Sequence, residues 1–466
     1  MEKIDDFGAN KTGTQTDEGR ESFDSLIKGL IPLTFVAAFA GLFVGLIGGS
    51  FRWMLEYSGT LFSGMLTDWR NQSPAQWMPG WLLAMLIGAT CVALARSLIR
   101  MAPEASGSGV QHVEAVMRHE ASPARFRVLP IKYIGGILAM APGMALGREG
   151  PTIQMAGVIG HVCGQISKLA RADQFMLYTA VAGAGLSVAF NAPLAGAAFV
   201  FEEVSRRMTL RRMVVTLAAI ATGMSVFRSF YGNEVEFHTH GVFTQPSQIL
   251  WTYALLGVVL GGFGVLYNKC IVSGMNVFAK APRIAPEIKA GIIGALVGGL
   301  AWVRPDWVGG GEAQIQSLLN GDLTIQAILF LLLVRWALGV VCYSAGAPGG
   351  LFAPLLLVGA LVGVLCATGL NHAQITTQPV DPVAFIVVGM SAFFTAVVRA
   401  PFTGILLVIE MTGLVSLTIP LLIACVAAVV VATLLRGEPI YDSLLDRMRL
   451  TQPSSPGLRT SPPPKG

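Results

Sequence analysis

Two carboxylates in this 466-residue chain stand where an acid is hard to place. Glu149 lies in "ALGREGP" (145–151), between the apolar runs "YIGGILAMAPGM" and "TIQMAGVIGHVCG". Glu203 is the second acid of "FVFEEVSRR", directly after "NAPLAGAA". A carboxylate inside a membrane is expensive and is by default a functional candidate. Its chemistry is to take up and release a proton, from a reference pKa of about 4.3. Glu149 also opens an apolar run, with glycine and proline around it. Two further clusters are built alike: "GSG" (107–109) and "GGLFAP" (349–354). Glycine permits a tight turn, and proline suits a first helical turn, where its missing N–H would have no partner anyway. Each cluster therefore predicts the start of a helix. Helix starts carry free N–H groups and partial positive charge, so several aimed at one point bind an anion without a full cation nearby. An ionised glutamate imitates the anion and occupies that place. A protonated one loses the attraction and admits an anion.

The elements that position these residues belong in a bilayer. The chain is 53% hydrophobic and only 13% charged, against about 25% charged in soluble proteins. Runs beginning at Leu30, Trp77, Trp251 and Ser416 each approach or exceed the roughly 18–20 residues that span a membrane as helix. Irregular backbone at that depth is tolerated only where it lines a cavity or is packed in protein, which suits the Gly/Pro clusters. Residues 1–25 are polar without an apolar signal core, and are read as a cytoplasmic tail. Residues 446–466, ending "TQPSSPGLRTSPPPKG", are read as a disordered tail. The basic "RHEASPARFR", "KLARAD" and "RRMTLRR" predict cytoplasmic rims, and the acidic "YGNEVEFHTHGVFTQPSQ" predicts an outer loop. A span over 213–230 separates the last two. Arginines so placed serve membrane edges, so no nucleic-acid partner is expected. The six cysteines lie in apolar runs without a CxxC pair, and the six histidines have no zinc spacing. Neither disulfide, metal nor other cofactor is expected.

A repeat is present. "APLAGAAFVFE" (192–202) and "APFTGILLVIE" (400–410) match at five of eleven positions, 208 residues apart. Upstream of each lies a Gly/Pro cluster, "GREGP" and "GAPGGLFAP". The reading is two halves, about 30–230 and 250–435, joined near Pro246. An odd number of crossings per half inverts them, as in secondary transporters with a site at the repeat interface. Glu202 has a mate in Glu410 and is more easily structural. Glu203 faces Met411 and breaks the symmetry, which suits a directional task.

With these residues in view, "GSGVQ", "GREGP", "GGLFAP" and Tyr441 in "EPIYDSLL" resemble the signature elements of the CLC family of chloride channels and chloride/proton exchangers, over about residues 26–445. The resemblance implies an all-α membrane fold of two inverted repeats with tilted, partly broken helices. It implies chloride bound by the Ser108 and Tyr441 hydroxyls and by the Leu351 and Phe352 N–H groups. Glu149 would be the external gating and proton glutamate, and Glu203 the internal proton-transfer glutamate of exchangers. It implies a multi-pass homodimer in membrane lipid with one pore per subunit, in the plasma (inner) membrane of a prokaryote with both termini cytoplasmic. Too little chain follows Tyr441 for the regulatory CBS domains of larger members. Gln111 departs from the family's proline at that position.

Three functions are weighed. A chloride/proton antiporter is favoured by Glu203; a valine-like residue there would favour the alternative, a passive chloride channel. A hydrolase using Ser108 with His112, four residues on, lacks an orienting acid and leaves the other anion motifs unexplained.

Overall fold

The computed structural model describes residues 14–71, 78–206, 208–239, 246–280, 282–376 and 378–451. The fold is helical throughout, and no strand occurs among the described residues. The first eight helices are α1 (Thr14–Asn71), α2 (Gly80–Leu98), α3 (Val110–Met117), α4 (Val128–Met140), α5 (Glu149–Ile166), α6 (Arg171–Phe190), α7 (Pro193–Phe199) and α8 (Leu210–Tyr231). The next eight are α9 (Leu250–Ala279), α10 (Pro286–Val303), α11 (Glu312–Asn320), α12 (Ile325–Ser344), α13 (Phe352–His372), α14 (Pro382–Val398), α15 (Pro401–Thr412) and α16 (Thr418–Leu434). A final helix, α17 (Ile440–Thr451), follows.

Among the described residues eight helices are long and apolar enough to cross a membrane. They divide by burial. The most apolar window of α13 is 78% buried and that of α2 only 22%. So α13 is core, while α2 turns most of its surface outward. The exposed Phe35, Leu46, Trp53, Leu86, Leu296, Leu333 and Leu434 are what lipid as the surrounding solvent calls for. Helix ends obey local chemistry. The Thr209 and Thr324 hydroxyls and the Asp381 carboxylate accept N–H groups at the starts of α8, α12 and α14. Proline occupies the first turn of α7, α10, α14 and α15.

The contacts repeat with the sequence. α1 packs on α8 and α9 on α16; α5 packs on α6 and α13 on α14; α6 packs on α8 and α14 on α16. Equivalent helices also meet directly, α2 with α10 and α7 with α15. At the first crossing a Cβ on Gly88 would stand 2.2 Å from the Gly294 carbonyl oxygen, so only glycine lets the backbones come that close. At the second, Glu202 accepts the N–H groups of Phe402 and Thr403 at 2.9 and 2.7 Å and the Thr403 hydroxyl at 2.8 Å. Glu410 accepts those of Leu194 and Ala195 at 3.0 and 2.8 Å. Each copy of the repeated motif ends in a glutamate that caps the start of the other copy. The two helices therefore run antiparallel, which makes the halves inverted.

Helix enters both segments read as tails, and residues 446–451 are helical rather than disordered. α1 begins at Thr14, inside the segment read as an N-terminal tail. α17 runs to Thr451, past the boundary placed at 446. Its apolar residues recur with helical spacing, and Ile440, Tyr441, Leu444 and Leu445 are buried. Residues 1–13 and 452–466 lie outside the described residues.

Candidate functional site

All three Gly/Pro clusters open helices, at Val110, Glu149 and Phe352. Gly109, at φ 89°, makes the turn into α3. The loops before these helices are joined across the two halves. The Gly349 N–H donates to the Gly107 carbonyl at 3.1 Å, and Gly147 and Gly350 exchange N–H to carbonyl bonds of 2.9 and 2.7 Å. Such approach leaves no room for side chains. A Cβ on Gly150 would lie 2.4 Å from Ser108 Oγ, and one on Gly350 would lie 2.5 Å from Glu149 Oε1.

Glu149 is fully buried at this junction. Its Oε1 accepts the Phe352 N–H at 2.6 Å and the Ala353 N–H at 3.3 Å. The carboxylate of one half thus sits on the helix start of the other, an arrangement favoured by the free N–H groups and dipole of that end. Leu351 is buried beside it as the N-terminal flank of α13. The pair of N–H groups that holds the carboxylate is Phe352 and Ala353, and it shares the Phe352 N–H with the pair expected for chloride, Leu351 and Phe352. Ser108 and Tyr441 come to the same place. Tyr441 interacts with both Ser108 and Glu149, and its ring lies 5.9 Å from that of Phe352. Ser108 Oγ, Tyr441 Oη and Glu149 Oε2 are all buried without a hydrogen-bond partner of ordinary length. Buried polar atoms are nearly always satisfied, so three orphans at one point mark a place built for something else. Phe190, Phe199 and Phe394 pack around Phe352.

A buried lysine stands near these helix starts, behind the turn rather than at the anion place. Lys132 is fully buried, and its Nζ donates to the carbonyls of Ala105 and Gly107 at 3.0 and 2.6 Å. The ammonium grips the back of the "GSG" turn through carbonyl oxygens rather than the anion place itself. Its signal in the sequence was a lone lysine in an apolar run. Gln111 leaves the start of α3 intact: the N–H groups of His112 and Val113 both reach the Gly109 carbonyl. His112 is committed elsewhere, with Nδ1 3.1 Å from the Tyr178 hydroxyl.

Glu203 belongs to a second cluster. It is 3% exposed, on a π-turn (Val200–Val204) closed by the Ser205 N–H to the Val200 carbonyl at 2.8 Å. Such turns recur at functional sites, and nothing in the sequence marked this one. Arg206 lies 3.9 Å away; Arg207 is outside the described residues. Glu114, also buried, lies against Glu203.

On the opposite side, Arg148 donates to the Ala189 carbonyl at 3.0 Å and to Glu236 at 2.7 Å. It anchors the "GREGP" turn to the loop after α8. Burial alone would raise the Glu236 carboxyl, but Arg148 and Arg52 outweigh it and hold the group below the usual carboxylate range. A carboxyl whose pKa is lowered on folding adds stability above its unfolded value of about 4.3, and that stability is lost as pH falls through the folded value. Glu236→Gln is therefore expected to lower the unfolding temperature at neutral pH, and the gap from the natural protein should close below about pH 4. Thermal unfolding in detergent across that range checks it; a gap that is constant with pH would refute the pairing.

Comparison with known proteins adds to this geometry. The family model described as "Voltage gated chloride channel" matches residues 87–433. The chain is 37% identical over 419 residues to the H(+)/Cl(-) exchange transporter ClcA of Vibrio parahaemolyticus, covering 88% of this chain and 89% of that one. It is 38% identical over 422 residues to the protein of the same name from Vibrio cholerae, covering 89% and 90%. Among solved structures it is similar to a slow cyanobacterial Cl-/H+ antiporter, with TM-score 0.85 and 33% identity over 90% of this chain and 98% of that one.

Proposed function

The chain belongs to the voltage-gated chloride channel (CLC) family, and from that premise we propose that it is a chloride/proton antiporter, carrying the two ions in opposite directions across the membrane. The observation that carries this reading is the Glu149 carboxylate seated on the Phe352 and Ala353 N–H groups, where an anion would sit. Ionised, it excludes chloride from that place. Protonated, it loses its hold on the helix start and yields. One group then serves as gate and proton carrier, which ties the two fluxes together. The orphaned Ser108 and Tyr441 hydroxyls supply chloride with donors that need no rearrangement, and the N–H groups of Leu351 and Phe352 complete the site. Glu203 is the internal proton-transfer residue. Its burial supports that role, because a rim carboxylate would be wet.

The relatives named as exchange transporters support antiport over a passive channel. They also favour transport over hydrolysis, as does the engagement of His112 by Tyr178, which ties up the histidine that a hydrolase reading would use to activate Ser108. The protein acts as a homodimer with one pore per subunit, in the inner membrane of a prokaryote, with both termini cytoplasmic.

Purified protein in liposomes, under a chloride gradient without a pH gradient and with the voltage held near zero by valinomycin and equal potassium, tests the reading. Chloride should drive protons the other way, and Glu203→Val should remove the proton flux while chloride still moves. Chloride flux without protons in the natural protein would make it a channel.

A further inference from the structure

The second cluster holds more acids than the proposed function uses. Glu114 on α3 and Glu203 on the π-turn are both buried and lie against each other. Both oxygens of Glu114, and Oε1 of Glu203, lack a hydrogen-bond partner of ordinary length. Each glutamate has an arginine one turn along its own segment. Arg118 Nη2 is 3.6 Å from Glu114 Oε2, and Arg206 Nη2 is 3.9 Å from Glu203 Oε1, both beyond hydrogen-bond length. The two guanidinium groups turn instead to Asp442 on α17. Arg118 donates to its Oδ1, and Arg206 donates to its Oδ2 at 3.4 Å. The remaining acids nearby are occupied elsewhere: Glu120 pairs with Arg449 and Glu202 caps α15.

Two carboxyls in contact in a buried place cannot both be charged unless cations neutralise them. Among the described residues the available cations are Arg118 and Arg206, and Asp442 holds both at its own carboxylate. Resting on the antiporter reading, we propose that Asp442 is a positioning residue for proton transfer: by holding Arg118 and Arg206 it keeps them at ion-pair distance and prevents them from closing to hydrogen bonds with Glu114 and Glu203, so the carboxyl pair retains the proton it passes on. Asp442 also follows Tyr441 directly. One turn of α17 therefore positions a hydroxyl at the anion place and the carboxylate that governs the proton cluster.

The test is the ratio of protons to chloride moved in liposomes, measured across pH. In Asp442→Asn the freed arginines pair with the two glutamates and favour their charged forms. The ratio should fall several-fold at neutral pH, with chloride flux continuing, and should recover as pH drops by about one unit, a tenfold change in proton activity. Asp442→Ser should do the same through a smaller side chain, so a folding defect in one variant does not decide the matter. Asp442→Glu, which keeps the charge, should keep the ratio. Asp442→Asn combined with Arg206→Asn should regain part of the coupling at neutral pH, because one of the two competing cations is gone and only Arg118 remains; asparagine suits the left-handed φ of 48° at that position. Equal loss of both fluxes at every pH, or no recovery in the double variant, would mean that Asp442 only pins α17, and would overturn the proposal alone. Chloride flux without protons in the natural protein would overturn the antiporter reading and this proposal together.

Discussion

Glu149→Ala is expected to separate the two ions. Proton flux should fall by roughly two orders of magnitude or more, the scale on which a positioned proton-transfer group acts, while chloride continues to pass. The reason is local. The carboxylate occupies the N–H groups of Phe352 and Ala353; without it they stay open to the anion, and no carboxyl group remains on those N–H groups to carry a proton. A charge-free isostere separates the two halves of this argument. In Glu149→Gln the side chain keeps its shape but neither ionises nor delivers a proton, so proton flux should vanish as in the alanine variant. Chloride flux should differ between the two, because the amide still fills space. Paired chloride and pH electrodes on liposomes read both quantities at once. An alanine variant that keeps the natural proton-to-chloride ratio would remove Glu149 from the mechanism.

The second large effect is on stability. Glu202 and Glu410 take no part in the proposed ion chemistry, yet each supplies charge-assisted bonds to a helix start in the opposite half. Replacing either with alanine leaves two helix-start N–H groups without their acceptor. Each change is expected to cost about 2 kcal/mol, the range for hydrogen bonds to a charged group and for loss of a helix cap. The apparent unfolding temperature in detergent should drop by several degrees. Because the two caps sit at opposite ends of the antiparallel α7–α15 pair, the double variant should lose close to the sum. Glutamine at either place keeps an acceptor oxygen and loses the charge, so its effect should be smaller. An unchanged unfolding temperature in Glu410→Ala would refute the capping role.

The same pair shows how far sequence reasoning reached. The repeat itself was visible, and with it the reading that the matched Glu202 and Glu410 are structural while the unmatched Glu203 is not. That the two caps are reciprocal was not visible, because a motif compared with its copy says nothing about where the copy lies. The second cluster was harder still. Glu203 stood out as an acid after an apolar run, whereas nothing in the sequence singled out Asp442. Lys132 could have been found, since a single lysine in "VLPIKYIGG" is costly unless something holds it. What holds it is a pair of backbone carbonyls, and carbonyls have no signature in a sequence.

By itself, the sequence determined what depends on neighbours in the chain. Composition and run length made this a membrane protein, glycine and proline marked the three helix starts at Val110, Glu149 and Phe352, and a repeated motif divided the chain in two. These follow from turn chemistry, helix capping and the thickness of a bilayer, all of which act over a few residues. The tertiary structure decided which helix start each carboxylate meets. Glu149 reaches Phe352 across 203 positions and Arg118 reaches Asp442 across 324. Contacts of that separation exist only once the two inverted halves have closed on each other. Their partners are then chosen by close approach at Gly147 and Gly350 and by the absence of water, neither of which is written in any short stretch of chain.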